Sequence, residues 1–366
     1  MAAMNDSFSM CQVLVVNPGA VSTKLALFRG PDPAWEEVVY HSEEQLSASD
    51  NVATQEDFRY EAVREMAEAQ GIIWSELSAV VGRGGLMKPV ASGTYEINER
   101  LLEDLRRAYQ GEHASNLGAL IAHRLAQPLS IPAFVVDPVA VDEMEDLARY
   151  SGLKEIRRRS LSHALNIKAV CREVAENLGV RYREVNLVAV HLGSGVSVTA
   201  HRRGRMVDVN NAVEGGPFGT ERTGGLPVLQ LVDWVFKWAE EGKDARSIQR
   251  MLTRAGGLYS YLGTKDLRDI ESSIEGGDVR AREVVEALAY QVAKEIGSMC
   301  TVLSGEVEAI ILTGAMARSE RLVNLITERV KRLAPVRVLP GEREMEALAL
   351  GALRVVTGRE RALEYS

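Results

Sequence analysis

A turn near the N-terminus carries residue types that bind phosphate groups. It lies in the sequence NPGAVSTK at residues 17–24, between two apolar runs. Gly19 allows the backbone to turn tightly and to present its N–H groups to an anion. Ser22 and Thr23 add hydroxyl donors, and Lys24 adds a positive charge. The turn is therefore a candidate phosphate site, with an ordinary hairpin turn as the alternative interpretation.

Two further glycine turns have comparable chemistry. The sequence HLGSGVS at 191–197 has the ingredients of the first turn, and LTGAMAR at 312–318 follows a predicted strand and begins a predicted helix. The N-terminus of a helix favours negative charge because its N–H groups lack partners. We expect the first two turns to hold a polyphosphate from two sides, and the third to hold the ribose or phosphate of a nucleotide.

The common phosphate-binding patterns are absent. The chain has no G-x-x-x-x-G-K-[ST] sequence, and neither 82–87 nor 193–198 completes a G-x-G-x-x-G pattern. It also lacks the His-Arg-Asp and Asp-Phe-Gly sequences of protein kinases. P-loop, Rossmann and protein-kinase folds are therefore disfavoured.

The elements that position these turns alternate between short apolar runs and longer helical patterns, which is typical of α/β proteins. The runs predict strands at 12–16, 24–29, 79–82, 133–136, 186–191, 196–200, 205–209, 309–313 and 336–339. The patterns predict helices at 56–70, 99–109, 116–126, 162–178, 227–240, 279–303, 318–333 and 344–356.

The hairpins that carry the first two turns are related in sequence. VLVVNPGAVSTKLALFRG begins at residue 13, and LVAVHLGSGVSVTAHRRG begins at residue 187. Identical or corresponding residues at 17 and 191, 19 and 193, 29 and 203, and 30 and 204 share one offset of 174 residues. Because this is close to half the chain, it predicts a duplication in which each half begins with a β-hairpin. Two unrelated hairpins with similar turns are the alternative.

The composition fits a globular chain of about two domains, since it has 366 residues of which 46% are hydrophobic. A net charge of −8 disfavours binding to nucleic acid or to an anionic membrane. The three cysteines form no C-x-x-C pair, so neither a disulfide framework nor a zinc ribbon is indicated. The first ten residues lack the basic region of a secretion signal, and no apolar run is long enough to span a membrane. A cytoplasmic protein is expected.

The ordered motifs resemble those of the acetate kinase family of short-chain acyl kinases, and within it most closely the butyrate kinase branch. They are N-x-G-x-x-S-T-K, V-G-R-G-G, H-L-G-S-G, G-T-E-R-T-G-G-L-P, K-D-L-R-D-I, L-T-G and E-x-E-A-L-A-L-G, from about residue 12 to about residue 356. The resemblance implies an α/β fold of two duplicated ribonuclease-H-like domains, of the actin/Hsp70/sugar-kinase type, with an interdomain cleft. The expected domains are 1–140 with 344–366, and a nucleotide-binding domain at 141–343.

The resemblance also implies roles for the residues of the two hairpins. The phosphate-binding residues are expected to be Asn17, Gly19, Ser22, Lys24, His191, Gly193 and Gly195. One departure is Ala20, where the family usually has serine. A lost hydroxyl donor would weaken the hold on phosphate by about 1 kcal/mol.

Two arginines among glycines match the family's pair that holds the carboxylate and the transferring phosphoryl group. They are Arg83 and Arg222. A phosphoryl group in transfer carries negative charge on its equatorial oxygens, which a guanidinium neutralises with two parallel hydrogen bonds. Among the histidines, His163 matches a catalytic position that can donate a hydrogen bond to this charge, and His113 matches a substrate-binding position. A helix-start histidine without a substrate role is the alternative for His113.

Metal and nucleotide residues are assigned from the same resemblance. Asp137 follows a predicted strand and is expected to bind Mg²⁺ together with Glu346, with Glu344 as the alternative because the helix register is open. Asp266 and Arg268 are expected to bind the nucleotide, together with the loop at Gly314.

The implied reaction is reversible transfer of the γ-phosphoryl group of ATP to the carboxylate of butyrate or a similar short-chain fatty acid. It gives ADP and the acyl phosphate, and the enzyme is expected to be a homodimer or a higher homo-oligomer. Acetate or propionate kinase is the alternative, followed by a nucleotide-gated binding module without catalysis. Room for the longer alkyl tail is expected at Gly84 and Gly85, beside Arg83, and at Ser162, beside His163.

Overall fold

The structure is a computed structural model that describes residues 11–49 and 51–366. The chain divides into two compact units, residues 1–142 with 343–366 and residues 143–342. The expected domain boundaries differ from these by one or two residues. The first ten residues, used above to judge a secretion signal, lie outside the described residues.

The elements are numbered along the described part of the chain. The strands are β1 (Gln12–Pro18), β2 (Ser22–Arg29), β3 (Asp32–Tyr40), β4 (Leu77–Arg83), β5 (Thr94–Glu96), β6 (Ala133–Val136), β7 (Asn186–Leu192), β8 (Val196–Arg202), β9 (Arg205–Val209), β10 (Ala309–Gly314) and β11 (Val336–Pro340). The helices are α1 (Glu43–Ser47), α2 (Glu56–Ala69), α3 (Glu99–Arg106), α4 (Asn116–Ala126), α5 (Ala164–Asn177), α6 (Val228–Glu240), α7 (Ala245–Arg254), α8 (Gly257–Leu262), α9 (Leu267–Glu275), α10 (Val279–Val302), α11 (Glu320–Val330) and α12 (Glu344–Val356).

The first unit is built on a six-stranded sheet with the order β3-β2-β1-β4-β6-β5. Strands β1, β2 and β3 are antiparallel neighbours, whereas β1, β4 and β6 run parallel. Strand β1 is buried from Val13 onward, as expected for an apolar strand covered on both faces. Helices α4 and α12 both pack against β1, β4 and β6. The carboxyl ends of the three parallel strands therefore meet at one edge of the sheet.

The second unit repeats this plan with the sheet order β11-β10-β7-β8-β9. Strands β7, β8 and β9 are antiparallel neighbours, and β10 and β11 run parallel to β7. Helix α10 packs against β8 and β7, and α5 packs against β7 and β10. The 174-residue offset thus relates β1 to β7, which in each sheet pairs antiparallel with one neighbour and parallel with the other. The two hairpins differ by one residue, since Asn17 pairs with Lys24 but His191 pairs with Ser197.

The described residues include elements that the sequence patterns did not predict. These are β3, β5, α1 and the helices α7 to α9. No helix in the described ranges is long and apolar enough to cross a membrane. The three cysteines are free thiols, with Cys171 and Cys300 buried and Cys11 half-buried.

Candidate functional site

Three polar side chains meet at the carboxyl edge of the first unit's sheet. Asn17 lies at the end of β1, Arg83 ends the neighbouring β4, and Glu344 begins α12. The Arg83 Nη1 donates to Glu344 Oε2 at 2.7 Å and to Asn17 Oδ1 at 3.3 Å, and the Asn17 Nδ2 donates to Glu344 Oε2 at 2.9 Å. The carboxylate of Glu344 therefore orients both residues.

Arg83 keeps capacity for a further anion. Its Nε is buried and has no hydrogen-bond partner among the described residues. An unsatisfied buried N–H is costly, and an oxygen of a ligand would satisfy it. The backbone of β4 next to Arg83 packs closely against α4. A Cβ on Gly82 would lie 2.0 Å from the carbonyl oxygen of Gly118. Arg83 thus lies on a closely packed strand and has one buried donor unused.

The first glycine turn adjoins this group. The Gly19 N–H donates to the Ser22 carbonyl oxygen at 2.7 Å, which closes the turn. Lys24 is exposed on β2 and forms no ion pair within the described ranges. A buried arginine, Arg59, lies behind the turn. Gly19, Ser22 and Lys24 are therefore placed around one turn, next in the chain to Asn17.

The structure separates the two alternatives for the second metal ligand. Asp137 follows β6, is buried, and accepts hydrogen bonds through Oδ1 from Ser92 Oγ at 2.5 Å and Gly93 N–H at 2.9 Å. Glu346 is exposed, whereas Glu344 is buried at Arg83. Side chains two positions apart on a helix point in nearly opposite directions, so only Glu344 faces Arg83, and the choice between Glu344 and Glu346 as metal ligand stays a prediction. Within the described ranges, no group of three or more His, Cys, Asp or Glu forms a metal cluster.

His113 lies at the start of α4 with an exposed side chain. Its Nδ1 is 2.7 Å from Ser115 Oγ and accepts a hydrogen bond from the Ser115 N–H at 3.2 Å. These contacts hold the ring against Ser115, the residue that precedes α4. A role toward substrate stays a prediction.

In the second unit, the rings of His163 and His191 stack. Their centroids are 3.8 Å apart with an interplanar angle of 7°. His163 Nδ1 lies 2.9 Å from Ser197 Oγ, on the strand that pairs with β7. The stack therefore holds the two rings in nearly parallel planes.

The surroundings of His191 determine which of its nitrogens carries a proton. The Asn166 Nδ2 donates to Nδ1 at 3.1 Å and to Thr313 Oγ1 at 3.2 Å. Nε2 lies 3.5 Å from Glu342 Oε1. Because Nδ1 accepts, the proton of the neutral ring sits on Nε2, which can donate to an acceptor.

Arg222 lies against the second glycine turn. A Cβ on Gly195 would be 2.6 Å from both Cδ and Nη1 of Arg222, so this glycine makes room for the arginine. The N–H groups of Glu221 and Arg222 both donate to the Ser194 carbonyl oxygen, which fixes the loop to the turn. Burial lowers the pKa of Arg222, and no carboxylate of the described residues lies within 4.0 Å of its guanidinium.

A pocket of about 630 Å³ opens beside the same turn, within the second unit. This volume is typical of small-molecule and cofactor sites. The expected residues Gly193, Asp266 and Arg268 line it, and so do residues that sequence reasoning missed. The latter include Ser194, Thr220, Lys265, Glu271, Arg318 and Ser319.

Asp266 and Gly314 shape this pocket in different ways. Asp266 caps α9, and hydrogen bonds from the side chain and N–H of Arg268 lower the pKa of Asp266 to about 2. Gly314 has a φ of +91°, and a Cβ there would lie 2.4 Å from the Leu192 carbonyl oxygen. Only glycine permits this approach, which brings the turn at Ala315 and Met316 beside the turn at Gly193.

The expected room for an alkyl tail is not found at the glycines beside Arg83. A Cβ on Gly84 would lie 2.4 Å from Pro138 Cβ, and one on Gly85 would lie 2.2 Å from Asn116 Oδ1. Neither glycine therefore opens space on its Cβ side, and the position of an alkyl tail stays a prediction. Ser162 is buried with its Oγ 3.6 Å from Met206 Sδ, so it also faces protein.

Comparison with known proteins shows which family the chain belongs to. The model of the Acetokinase family matches residues 146–336. A protein of Listeria monocytogenes serotype 4b (strain CLIP80459) named "Probable butyrate kinase" is 48% identical over 96% of this chain and 99% of its own. A protein of the same name from Enterococcus faecalis (strain ATCC 700802 / V583) is 48% identical, covering 97% of each chain.

Two solved structures have the same fold at low sequence identity. Porphyromonas gingivalis acetate kinase aligns with a TM-score of 0.76 and 19% identity, covering 94% of this chain and 99% of its own. A propionate kinase from Francisella tularensis aligns with a TM-score of 0.73 and 18% identity, covering 93% and 98%. The expected α/β fold class of duplicated ribonuclease-H-like domains is confirmed.

Proposed function

Because the chain belongs to the acetokinase family, as its motifs predicted, we propose that it is an ATP-dependent carboxylate kinase acting on butyrate or a similar short-chain fatty acid. The observation that carries this proposal is Arg83, held at a sheet edge by Glu344 with its buried Nε unpartnered. A module that only bound nucleotide would have no use for this second anion site outside the nucleotide pocket.

The reaction needs little covalent chemistry from the protein. A carboxylate oxygen attacks the γ-phosphorus of ATP, the bond from phosphorus to the bridging oxygen breaks, and its electron pair leaves with ADP. The carboxylate is already ionised at neutral pH, so no general base is required. The chain's task is to orient the reactants and neutralise charge.

We assign this task to three residues of the candidate site. Arg83 and Arg222 hold the carboxylate and the phosphoryl group in transfer, since guanidinium forks match their planar oxygen pairs. His163 donates a hydrogen bond to the charge that develops on the phosphoryl oxygens, and its stacking partner His191 fixes the plane of its ring. The hairpin residues Asn17, Lys24 and Gly193 belong to the phosphate-binding groups.

ATP or ADP is proposed to occupy the pocket of the second unit, with Asp266 and Arg268 on its wall. Mg²⁺ would be held by Asp137 and Glu344, whose carboxylate oxygens are the ligand type that this hard cation prefers. When bound, the cation neutralises charge on the phosphate oxygens. The cytoplasm, which supplies ATP, is the proposed location.

We also infer a homodimer or higher homo-oligomer. Helix α6, with the sequence VLQLVDWVFKWAE, has no buried residue. Leu229 is 82% exposed and Phe236 is 68% exposed. Nine of its thirteen residues are apolar, and an exposed apolar face of this size is normally covered, so this surface supports association.

The test is hydroxamate formation from acetate, propionate, butyrate, isobutyrate and valerate, each with ATP and Mg²⁺. The expected result is the highest kcat/KM with a four-carbon acid. A preference for acetate or propionate would favour the alternative kinases. ADP release without any carboxylate, at an equal rate, would contradict the kinase and favour a nucleotide-gated module.

A further inference from the structure

The first glycine turn is held from behind by donors buried in the protein. Arg59 on α2 donates from Nη1 to the carbonyl oxygen of Gly19 at 2.9 Å and from Nη2 to that of Ala20 at 3.0 Å. The N–H of His41 donates to the carbonyl oxygen of Val21 at 3.0 Å, and the Gly19 N–H donates to that of Ser22. All four carbonyls of the turn therefore face donors of the chain.

The amides at the tip of the turn are oriented differently. Ala20 and Val21 are exposed, and their N–H groups donate to no residue within the described ranges. Successive backbone N–H groups left free in a turn form a concave site for an anion. Because the carbonyls are held on the inner side, the turn presents donors and not acceptors at its exposed tip.

Arg59 is also a buried cation without a buried anion. Its side chain is fully buried, and no carboxylate of the described chain lies within 4.0 Å of it. Its remaining contacts are neutral, from Nε to Gln55 Oε1 at 3.1 Å and from Nη1 to Thr23 Oγ1 at 3.2 Å. A buried charge without a partner is energetically costly, and the negative charge of an anion at the turn would offset that cost.

A second buried residue extends the network. His41 Nε2 lies 2.9 Å from Thr23 Oγ1. Since Thr23 accepts from Arg59, its hydroxyl proton is free to donate to the imidazole. Burial, and then the charge of Arg59, lower the pKa of His41 to about 4, in keeping with a neutral acceptor ring. The guanidinium, hydroxyl and imidazole thus form one directed chain behind the turn.

We propose that Arg59 is a positioning residue that shapes the turn at Gly19–Ser22 into a site for a phosphate group, whose negative charge balances the buried guanidinium. This inference rests on the proposed function, because the phosphate would be the phosphoryl group that moves between ATP and the acyl phosphate. Arg59 acts through the backbone of the turn and does not touch the ligand.

The experiment compares Arg59→Lys and Arg59→Ala with Arg64→Lys and Arg64→Ala. Arg64 lies on the same helix but is partly exposed and paired with Glu61 and Glu68. Binding of inorganic phosphate is measured by calorimetry with ADP saturating the nucleotide pocket, and kcat and KM are measured with the acyl phosphate. Thermal unfolding monitors the fold of each variant.

The expected result is a loss of phosphate affinity of about tenfold or more in both Arg59 variants, with Lys milder than Ala, and no change in the Arg64 variants. KM for the acyl phosphate should rise in step. Methylguanidinium should restore function to Arg59→Ala, which a general loss of packing would not allow. If Arg59→Ala does not fold, Arg59→Lys decides.

Phosphate affinity and KM within twofold of wild type in Arg59→Lys would overturn the proposal. The proposed function fails separately, if the wild-type protein forms no hydroxamate with any carboxylate. In that case the phosphate-binding measurement still tests the role of Arg59.

Discussion

Removal of either proposed ligand-binding arginine is predicted to abolish most turnover while the protein stays folded. Arg83→Ala deletes a guanidinium with an unused buried donor, and Arg222→Ala deletes one that has no carboxylate partner in the described structure. Each loss should lower kcat by about a hundredfold or more, as for a donor to transition-state charge. Coupled ADP release measures this, with Arg332→Ala as an exposed control. Near-normal kcat in either variant would refute its assignment.

Two glutamates of one helix offer a matched pair. Glu344 accepts hydrogen bonds from Arg83 and Asn17, whereas Glu346 is exposed. Glu344→Gln should lower kcat by about tenfold and raise the Mg²⁺ concentration needed for half-maximal activity, since a charged hydrogen bond and a carboxylate are both lost. Glu346→Gln should resemble wild type. The reverse pattern would restore Glu346 as the metal-binding residue.

His41 is predicted to make stability depend on pH. Its pKa is lowered from 6.5 to about 4 by burial and by Arg59. The unfolded chain therefore binds the proton more readily, and the stabilisation present above pH 6.5 is lost as the pH falls toward about 4. One proton gives a slope of up to about 1.4 kcal/mol per pH unit. The free energy of unfolding, measured with urea at several pH values, should change less steeply with pH in His41→Gln than in the wild type. Equal pH dependence in the two proteins would contradict the assignment.

Some functional residues could not be identified from the sequence. Glu344 and Glu346 fit the same motif, and only the rotation of α12 separates them. Arg59 has no motif at all, because it recognises backbone carbonyls of a turn 37 to 40 positions away. By contrast, Asn17 and Arg83 follow apolar strands, so their meeting at a sheet edge could be predicted.

At the scale of elements, close backbone contacts determine where functional side chains lie. Gly195→Ala would place its Cβ 2.6 Å from Arg222 and should displace the guanidinium, lowering kcat by about tenfold or more. Gly297→Ala on α10 meets no atom within 4 Å and should stabilise the helix by about 0.5–1 kcal/mol. Thermal unfolding and ADP release measure both effects. Normal activity in Gly195→Ala would show that the loop can move aside.

The strands and helices differ in how readily the sequence predicts them. Each predicted strand and helix overlaps one of the elements in the described chain, because short apolar runs such as β1 and longer helical patterns such as α2 are readable in the sequence. Strand β3 was missed since its sequence, DPAWEEVVY, contains proline and charge and is exposed at the sheet edge. Helices α7 and α9 were missed although they have 10 and 9 residues, more than the 8 of the predicted α3.

In the whole molecule, the two sheets repeat one plan. This explains why a constant offset of 174 residues is preserved although only a few residues of the two hairpins match. The parts that correspond are the central strand and its following turn, where Asn17 and His191 hold the same place at the end of β1 and β7. The surrounding helices differ, so each unit has acquired its own chemistry. The first carries the glycine turn held by Arg59, and the second carries the nucleotide-sized pocket.

Helix α6 has no buried residue, and we expect a second copy of the chain to cover it. Leu229 and Phe236 are seven positions apart and lie on the same apolar side of α6, so an antiparallel pair of α6 helices would bury both residues of each copy across a twofold axis. Leu229→Glu combined with Phe236→Glu should shift the protein from dimer or higher oligomer to monomer in light scattering, since buried charges oppose association. Gln249→Glu, at an exposed position of α7, adds one negative charge outside this surface and should leave the mass unchanged. An unchanged mass in the double variant, or a monomeric wild type, would show that α6 is covered by something else.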